Sequence, residues 1–225
     1  IIIEAINENI DHKHIFYKNS QGLPFIDEAC YNLDMKSEEY PQILRLQIEN
    51  FRSFCARQTI SFSDDGANMR RITSIVGLNA TGKSNIALAM QKFKQMVKES
   101  ANADFVLPYQ PFLFKLKTQS EPTVFYIEFA ISDNVYEYEV AFDMLEIIRE
   151  TLRERPKGSL RKRVIFARDH NEINPGAANF GFGRGVVSRT RSNSLLITKA
   201  FEDNNEYAKK VFGALNSFYV LRCND

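Results

Sequence analysis

Eight consecutive residues constrain the fold of this chain more than any other segment. Residues 77–84 read GLNATGKS and match the pattern GxxxxGK[ST]. In such a loop the glycines let backbone N–H groups turn towards phosphate oxygens, the lysine reaches the β and γ oxygens, and the last hydroxyl coordinates magnesium. The pattern therefore predicts a loop that binds a nucleoside triphosphate, most simply ATP with Mg²⁺. The predicted nucleotide contacts are Gly77, Leu78, Asn79, Ala80, Thr81, Gly82, Lys83, Ser84 and Asn85, and Ser84 is also the predicted ligand of Mg²⁺.

Such a loop requires a strand before it and a helix after it, and the flanking residues fit both. Residues 71–76 form a short and largely apolar segment, which favours a strand. From Lys83 onwards the apolar side chains recur at helical spacing, which predicts one amphipathic helix to about Ser100. The apolar positions of that helix are Ile86, Ala89, Met90, Phe93, Met96 and Val97.

Two further strands precede the loop. Leu44, Leu46 and Ile48 alternate with polar residues, and the alternation resumes over residues 59–62, so we predict a β-hairpin. Residues 1–41 contain Gly and Pro breakers and no motif, and we interpret them as an N-terminal extension. The hairpin, the loop strand and the helix then form a unit at residues 42–103.

Residues 104–225 predict an antiparallel β lobe, a mobile loop and a C-terminal helix. Apolar and polar residues alternate on both sides of a turn at Asp133 and Asn134, which indicates a hairpin, and residues 147–155 and 163–168 add two more strands. Residues 174–191 are rich in Gly, Asn, Ser and Arg and predict a long mobile loop. Residues 192–215 favour a helix. The alternating apolar residues of the hairpin are Phe125, Ile127, Phe129, Ile131, Tyr136, Tyr138, Val140 and Phe142.

Composition excludes several classes of protein. No run approaches the roughly 20 apolar residues of a membrane span, so we expect a soluble cytoplasmic protein without a membrane partner. A net charge of +1 gives no overall attraction to nucleic acid. The three cysteines lack CxxC spacing, which argues against a disulfide framework or a zinc site. His12 and His14 have no carboxylate or cysteine pattern around them, so we predict no metal site there.

Three segments together resemble a known family. The sequences LRLQIENFRSF (44–54), QTISF (58–62) and IVGLNATGKSN (75–85) resemble the N-terminal half of the RecF/SMC/OLD group of ABC-type ATPases. They are most similar to bacterial AAA-type ATP/GTP phosphatase proteins of anti-phage defence and abortive-infection systems. The similarity extends through PYQPFLF, EPTVFYIEF, YEYEVAF and NSLLITKAF, and so covers about residues 43–220.

The resemblance implies an α/β P-loop NTPase fold, half of an ABC-type ATPase head joined to an antiparallel β lobe. It implies heads that dimerise on ATP, so that the protein is a homo-oligomer, and an effector protein such as a toxin or nuclease that the ATPase drives in phage defence. It also implies that Arg52 and Ser53 lie beside the nucleotide. The residues alone leave a second interpretation open, in which 50–54 is only a strand end and a turn.

Elements needed for hydrolysis are not visible in the sequence. No apolar strand ends in Asp-Glu; Asp143 follows an apolar strand but lies in the predicted hairpin and reads as a strand-end Asp. Gln110 suits a Q-loop role, but a glutamine between two prolines is more often solvated. The family usually carries the remaining motifs in a C-terminal half, and this chain, which begins without Met and stops at Asp225 after an apolar run, reads as a piece of a longer protein. We therefore assign no catalytic residue.

Two alternatives follow from that gap. The chain could be a non-hydrolysing nucleotide-sensing scaffold subunit that holds a toxin or nuclease partner. A stand-alone GTPase is disfavoured because no NKxD-like segment is present, although the sequence does not decide fully between ATP and GTP.

Two minor features have a structural interpretation. The basic stretch at residues 149–163 is diluted by Glu146, Glu150 and Glu154, so we interpret it as a solvated hairpin face rather than a nucleic-acid surface. Gly181, Gly183 and Gly185 lack the strand and helix that a nucleotide-binding glycine loop needs, and we predict flexible loop.

Overall fold

An antiparallel sheet organises most of the chain. The computed structural model describes residues 41–63, 73–75, 78 and 81–218, together with three two-residue strands, β1 (Ile2–Ile3), β2 (Tyr17–Lys18) and β3 (Pro24–Phe25). The later strands are β4 (Gln42–Glu49), β5 (Gln58–Ser61), β6 (Thr73–Ser74), β7 (Thr123–Ile131), β8 (Asn134–Phe142), β9 (Ile147–Pro156), β10 (Arg163–Asp169) and β11 (Glu172–Ile173). Over these residues a sheet of seven strands has the order β11-β10-β9-β8-β7-β4-β5. The strand before the phosphate loop, β6, pairs with β1, and β2 pairs with β3.

Alternating side chains form this sheet as predicted. The β4–β5 hairpin is confirmed, as are the β7–β8 hairpin and the strands β9 and β10. The turn between β7 and β8 lies at Ser132 and Asp133, one residue earlier than predicted, with Ser132 at φ 50°. A two-residue hairpin turn needs a positive φ at its first position, and a small polar residue tolerates it. β4 pairs with both β5 and β7, so the sheet contains strands from both sides of the predicted boundary between residues 103 and 104. The division of the chain into units at that boundary remains a prediction.

Helices cover one face of the sheet. The predicted helix after the phosphate loop is α1 (Lys83–Glu99), and its apolar stripe packs against β4, β7 and β8. Phe125 lies at the centre of this core, with its ring 5.3 Å from Phe51, 6.1 Å from Phe93 and 5.4 Å from Phe142. Aromatic pairs at these distances add specificity to the burial of apolar surface. The other α-helices of the described residues are α2 (Arg184–Ser188), α3 (Leu196–Glu202) and α4 (Glu206–Ser217).

The prediction of a long loop at residues 174–191 is wrong. A 3₁₀ helix, Pro175–Phe180, and α2 occupy most of it. Proline opens the 3₁₀ helix, where its missing N–H costs nothing, and Gly181 closes it at φ 79°. Gly183 directly precedes α2 and Gly185 lies inside it, so these glycines belong to short helices and their ends rather than to a flexible loop.

The predicted helix at residues 192–215 is two helices. The break falls between α3 and α4, where Asn204 has φ 60° and the side chain of Asn205 accepts a hydrogen bond from the N–H of Ala208 at 2.9 Å. Asparagine is among the best N-cap residues and also tolerates positive φ, which explains why the chain restarts a helix here. Among the described residues, no helix is long and apolar enough to span a membrane.

Candidate nucleotide-binding site

The phosphate loop enters α1 through a residue that must be glycine. Gly82 has φ 93° and ψ 4° and directly precedes Lys83, the first residue of α1. A Cβ atom at Gly82 would lie 2.8 Å from the Oγ atom of Ser53 and 3.0 Å from a ring carbon of Phe54. Any side chain would therefore be strained at this φ and would collide with both residues. The glycine lets the 53–54 segment lie directly against the loop.

The N-terminus of α1 suits an anion. Its first turn contains no acidic residue, and the first N–H groups of a helix carry a partial positive charge. Lys83 and Ser84 add a cation and an exposed hydroxyl at the same point. Because α1 has 17 residues, the dipole effect at this end is fully developed.

Part of the loop folds onto itself. The Nζ atom of Lys83 donates to the carbonyl oxygen of Leu78 at 2.6 Å, and the hydroxyl of Thr81 donates to the same oxygen at 2.8 Å. Leu78 and Thr81 are exposed, and Lys83 is half-buried. Of the predicted contacts, Gly77, Asn79 and Ala80 lie outside the described residues.

Arg52 and Ser53 form a tight turn beside the loop. Phe51 and Phe54 exchange two backbone hydrogen bonds of 2.9 Å, which leaves Arg52 and Ser53 exposed at the tip, with Arg52 at φ 50°. The Nδ2 atom of Asn85 donates to the Oγ atom of Ser53 at 2.8 Å. Residues 50–54 are thus a strand end and a turn that touches the start of α1, and the proximity of Arg52 and Ser53 to a nucleotide stays a prediction.

One residue of this region was missed by the sequence analysis. Asn50 is buried, and its amide group bonds the backbone of Phe112, Thr118 and Glu121 in the loop that follows α1. No local pattern indicates it, because its partners are about 60 to 70 positions away. Gln110 lies in the same loop with an exposed side chain, and its carbonyl oxygen accepts a hydrogen bond of 2.7 Å from the N–H of Arg52.

The comparison with known families decides the class of protein. The family model described as an AAA ATPase domain matches residues 42–214, which is more than half of the chain. The chain belongs to the AAA ATPase domain family. No curated protein matches the chain significantly. The family match confirms the coarse part of the resemblance, that of an AAA-type ATPase related to RecF/SMC/OLD-like ATPases, and the predicted α/β P-loop NTPase fold.

The residues of this AAA ATPase domain fit a nucleotide phosphate group. A helix N-terminus without carboxylates, a lysine and an accessible hydroxyl form the donor set that phosphate oxygens and a magnesium ion need. No group of three or more His, Cys, Asp or Glu residues that could hold a metal occurs in the described part of the chain. Cys55 is half-buried with a free thiol, and Cys30, Cys223, His12 and His14 lie outside the described residues.

Asp143 has a local structural role in the AAA ATPase domain. It follows β8, and its Oδ1 atom accepts hydrogen bonds from the N–H groups of Leu145 at 2.7 Å and Glu146 at 2.9 Å. A carboxylate that caps a turn in this way is the ordinary strand-end Asp that the sequence suggested. The geometry gives no reason to add it to the site.

Several cations of the basic stretch pair with carboxylates. Lys162 lies 2.7 Å from Glu137, and Arg163 bonds Glu154. Arg155 lies 2.8 Å from Glu128. These pairs are the arrangement expected of a charged sheet surface, and they lower the field that a nucleic-acid phosphate would experience.

Proposed function

We propose that residues 77–85 bind ATP with Mg²⁺, and that this AAA ATPase domain is the nucleotide-binding part of an ABC-type, RecF/SMC/OLD-like ATPase head. One observation carries the proposal. At Gly82 a left-handed glycine opens α1, is followed at once by Lys83 and Ser84, and packs against the turn at Arg52 and Ser53. The family match supports ATP binding and ATPase activity in general.

Each group has a distinct role in this proposal. Lys83 exchanges its hydrogen bond with the Leu78 carbonyl for the β and γ phosphate oxygens. Ser84 supplies a hydroxyl ligand to Mg²⁺, which when bound neutralises charge on the phosphates. Arg52 is a cation on a turn whose next residue, Ser53, accepts a hydrogen bond from Asn85 at the start of α1, and in this proposal its side chain reaches the phosphates.

The wider role is proposed from the resemblance of residues 44–54, 58–62 and 75–85. In it, the complete ATPase dimerises when each ATP lies between two heads, and the dimer drives a toxin or nuclease effector in phage defence. The coarse family match is compatible with that role, and no residue of the chain identifies the effector.

A second function is favoured by one specific observation. Asp143, the only acid that the sequence suggested for a magnesium-binding carboxylate, caps a turn. Hydrolysis needs a carboxylate that positions water, together with groups that stabilise the developing charge. A nucleotide-sensing scaffold that binds ATP without turnover is therefore the alternative.

Calorimetry with Mg-ATP tests the binding site. We expect the chain to bind, and Lys83→Ala to weaken binding by about tenfold or more, since a charged contact with the phosphates is lost. The matched control is Lys98→Ala, which removes an exposed lysine near the other end of α1. Equal affinity of Lys83→Ala and the parent chain would contradict the site. Titration with Mg-GTP in parallel decides between the two bases.

A further inference from the structure

The second half of the loop between α1 and β7, residues 109–122, has few hydrophobic anchors, whereas Phe105 and Leu107 in the first half are buried in the core. Over residues 109–122 only Thr118 is buried. The apolar side chains of Leu113, Phe114 and Leu116 are 65%, 90% and 86% exposed. A loop of this length that buries so little apolar surface must be held by polar contacts if it is to have one conformation.

Asn50 supplies several of those contacts, beside the hydrogen bonds that the hydroxyls of Tyr109 and Thr118 donate within the loop. Its side chain is buried at the end of β4, 2% exposed as a residue. The Nδ2 atom donates to the carbonyl oxygens of Thr118 and Glu121, both at 2.8 Å, and the Oδ1 atom accepts from the N–H of Phe112 at 2.9 Å. One amide group therefore bonds both ends of the loop.

The backbone of Asn50 restricts which residue can do this. Its φ is 48°, in the left-handed region that asparagine and glycine enter most easily. Its own carbonyl oxygen accepts a hydrogen bond of 2.7 Å from the hydroxyl of Thr123. Aspartate could accept from Phe112 but could not donate to the two carbonyl oxygens, so asparagine is the residue that matches all the partners.

The loop in turn holds the turn beside the phosphate loop. The carbonyl oxygen of Gln110 accepts the N–H of Arg52 at 2.7 Å. Arg52 has φ 50°, an uncommon conformation for a long side chain, and it persists only where its surroundings fix it. Ser53, the next residue, contacts Gly82 and Asn85. A continuous series of contacts thus runs from Asn50 through the loop to the phosphate loop.

We propose that Asn50 is a positioning residue for the nucleotide site. By fixing the 109–122 loop, it holds Arg52 and Ser53 in place before the nucleotide arrives, so that binding does not have to order them. This inference rests on the proposed ATP site. Loss of the Asn50 side chain should weaken Mg-ATP binding although Asn50 itself contacts no phosphate.

Asn50→Gly is the informative variant, since glycine keeps the left-handed backbone and removes only the side-chain hydrogen bonds. We expect Mg-ATP binding weaker by about tenfold, a change of about 1.4 kcal/mol in binding free energy. We also expect faster amide hydrogen exchange at Arg52, whose partner is Gln110 and not Asn50. A merely local role would leave that exchange unchanged. Gln119→Ala removes a hydrogen bond to the carbonyl oxygen of Leu113 within the loop and is the matched control. We expect it to change neither the Mg-ATP affinity nor the amide exchange of Arg52.

A second variant keeps the test decisive if Asn50→Gly does not fold. Thr118→Val removes a buried hydroxyl that bonds Phe112 and Lys115 and leaves β4 intact; we expect the same two changes, smaller in size. The chain has no tryptophan, so Phe114→Trp in either background reports loop mobility by fluorescence anisotropy. Unchanged affinity and unchanged Arg52 exchange in both variants would overturn the inference. If Lys83→Ala also binds normally, the nucleotide site itself is wrong.

Discussion

The two faces of the seven-stranded sheet hold their charged residues in different ways. On the face covered by α1, α3 and α4, Glu150 is fully buried and accepts hydrogen bonds from the N–H groups of Leu196 and Ile197 and from the hydroxyl of Tyr138. On the opposite face, Glu139 and its neighbours pair with half-exposed cations such as Arg149. The first carboxylate fixes the position of a helix, and the others, including the buried Glu128 and Glu137, are covered by cations of the surface.

The difference shows what a buried charge contributes. Arg168 is also buried, and its guanidinium donates to the carbonyl oxygens of His170 at 2.6 Å and Ser194 at 2.8 Å. Glu150 and Arg168 lie 3.6 Å apart, so the pair joins β9 and β10 to the start of α3. Such a pair fixes the relative position of these elements more than it stabilises the fold, because removing two charges from water is costly. Surface pairs contribute little, and salt screens them.

The largest effect is expected in the apolar core of the helix-covered face. Phe125→Ala removes the central ring of the aromatic cluster and should lower the free energy of unfolding by about 3–5 kcal/mol. Phe114→Ala, at a ring that is 90% exposed, is the control and should change it by less than about 0.5 kcal/mol. Urea denaturation of both variants measures the difference. Comparable losses would mean that the sheet and α1 do not form the core described above.

A smaller and pH-dependent effect is expected for Glu150→Gln. Burial raises the pKa of Glu150 despite the opposing effect of Arg168 and the N–H donors. A raised pKa in the folded state means that its contribution to stability is complete below the ordinary carboxyl pKa and is lost as pH rises through the folded value. Near neutral pH the free energy of unfolding of the variant should be about 2 kcal/mol lower than that of the parent, because the new amide N–H would face the N–H donor of Leu196.

That difference should grow as the pH falls towards 4.5, the ordinary value. Glu49→Gln on the opposite face, where the carboxylate is 39% exposed, is the control, with an expected change within about 0.5 kcal/mol. Denaturation at several pH values provides the measurement. A difference that shrinks on acidification would reverse the sign argued here.

Sequence patterns predicted the parts of the molecule that depend on local periodicity. The hairpins and α1 follow from alternation and helical spacing, and the phosphate loop follows from a contiguous motif. Asn50 and Glu150 could not be found in this way, because their partners lie about 45 to 70 positions away and are backbone groups of any residue type. The short helices at residues 175–188 were missed because their Gly and Asn residues, typical of loops, here serve as caps.

The smallest effect is expected on the charged face. We expect no tight binding of duplex DNA, because cations such as Lys162 and Arg149 already pair with Glu137 and Glu139. Fluorescence anisotropy of labelled duplex at low and physiological salt measures this. Tight binding that falls steeply with salt and disappears in the triple variant Arg161→Ala, Lys162→Ala, Arg163→Ala would show that the basic stretch at residues 149–163 is a nucleic-acid surface.

Phosphate release at saturating Mg-ATP tests the central claim most directly, namely that this chain binds ATP through Lys83 and Ser84 but does not itself complete the catalytic site. The reason is that Asp143, the acid that the sequence suggested for magnesium, caps a turn, and hydrolysis also needs a carboxylate that positions water. At an ATP concentration that calorimetry shows to be saturating, we predict phosphate release no faster than that of the Lys83→Ala variant. Turnover at or above about 1 per second that is lost in Lys83→Ala would contradict the account, and would show that a complete catalytic site lies within these 225 residues.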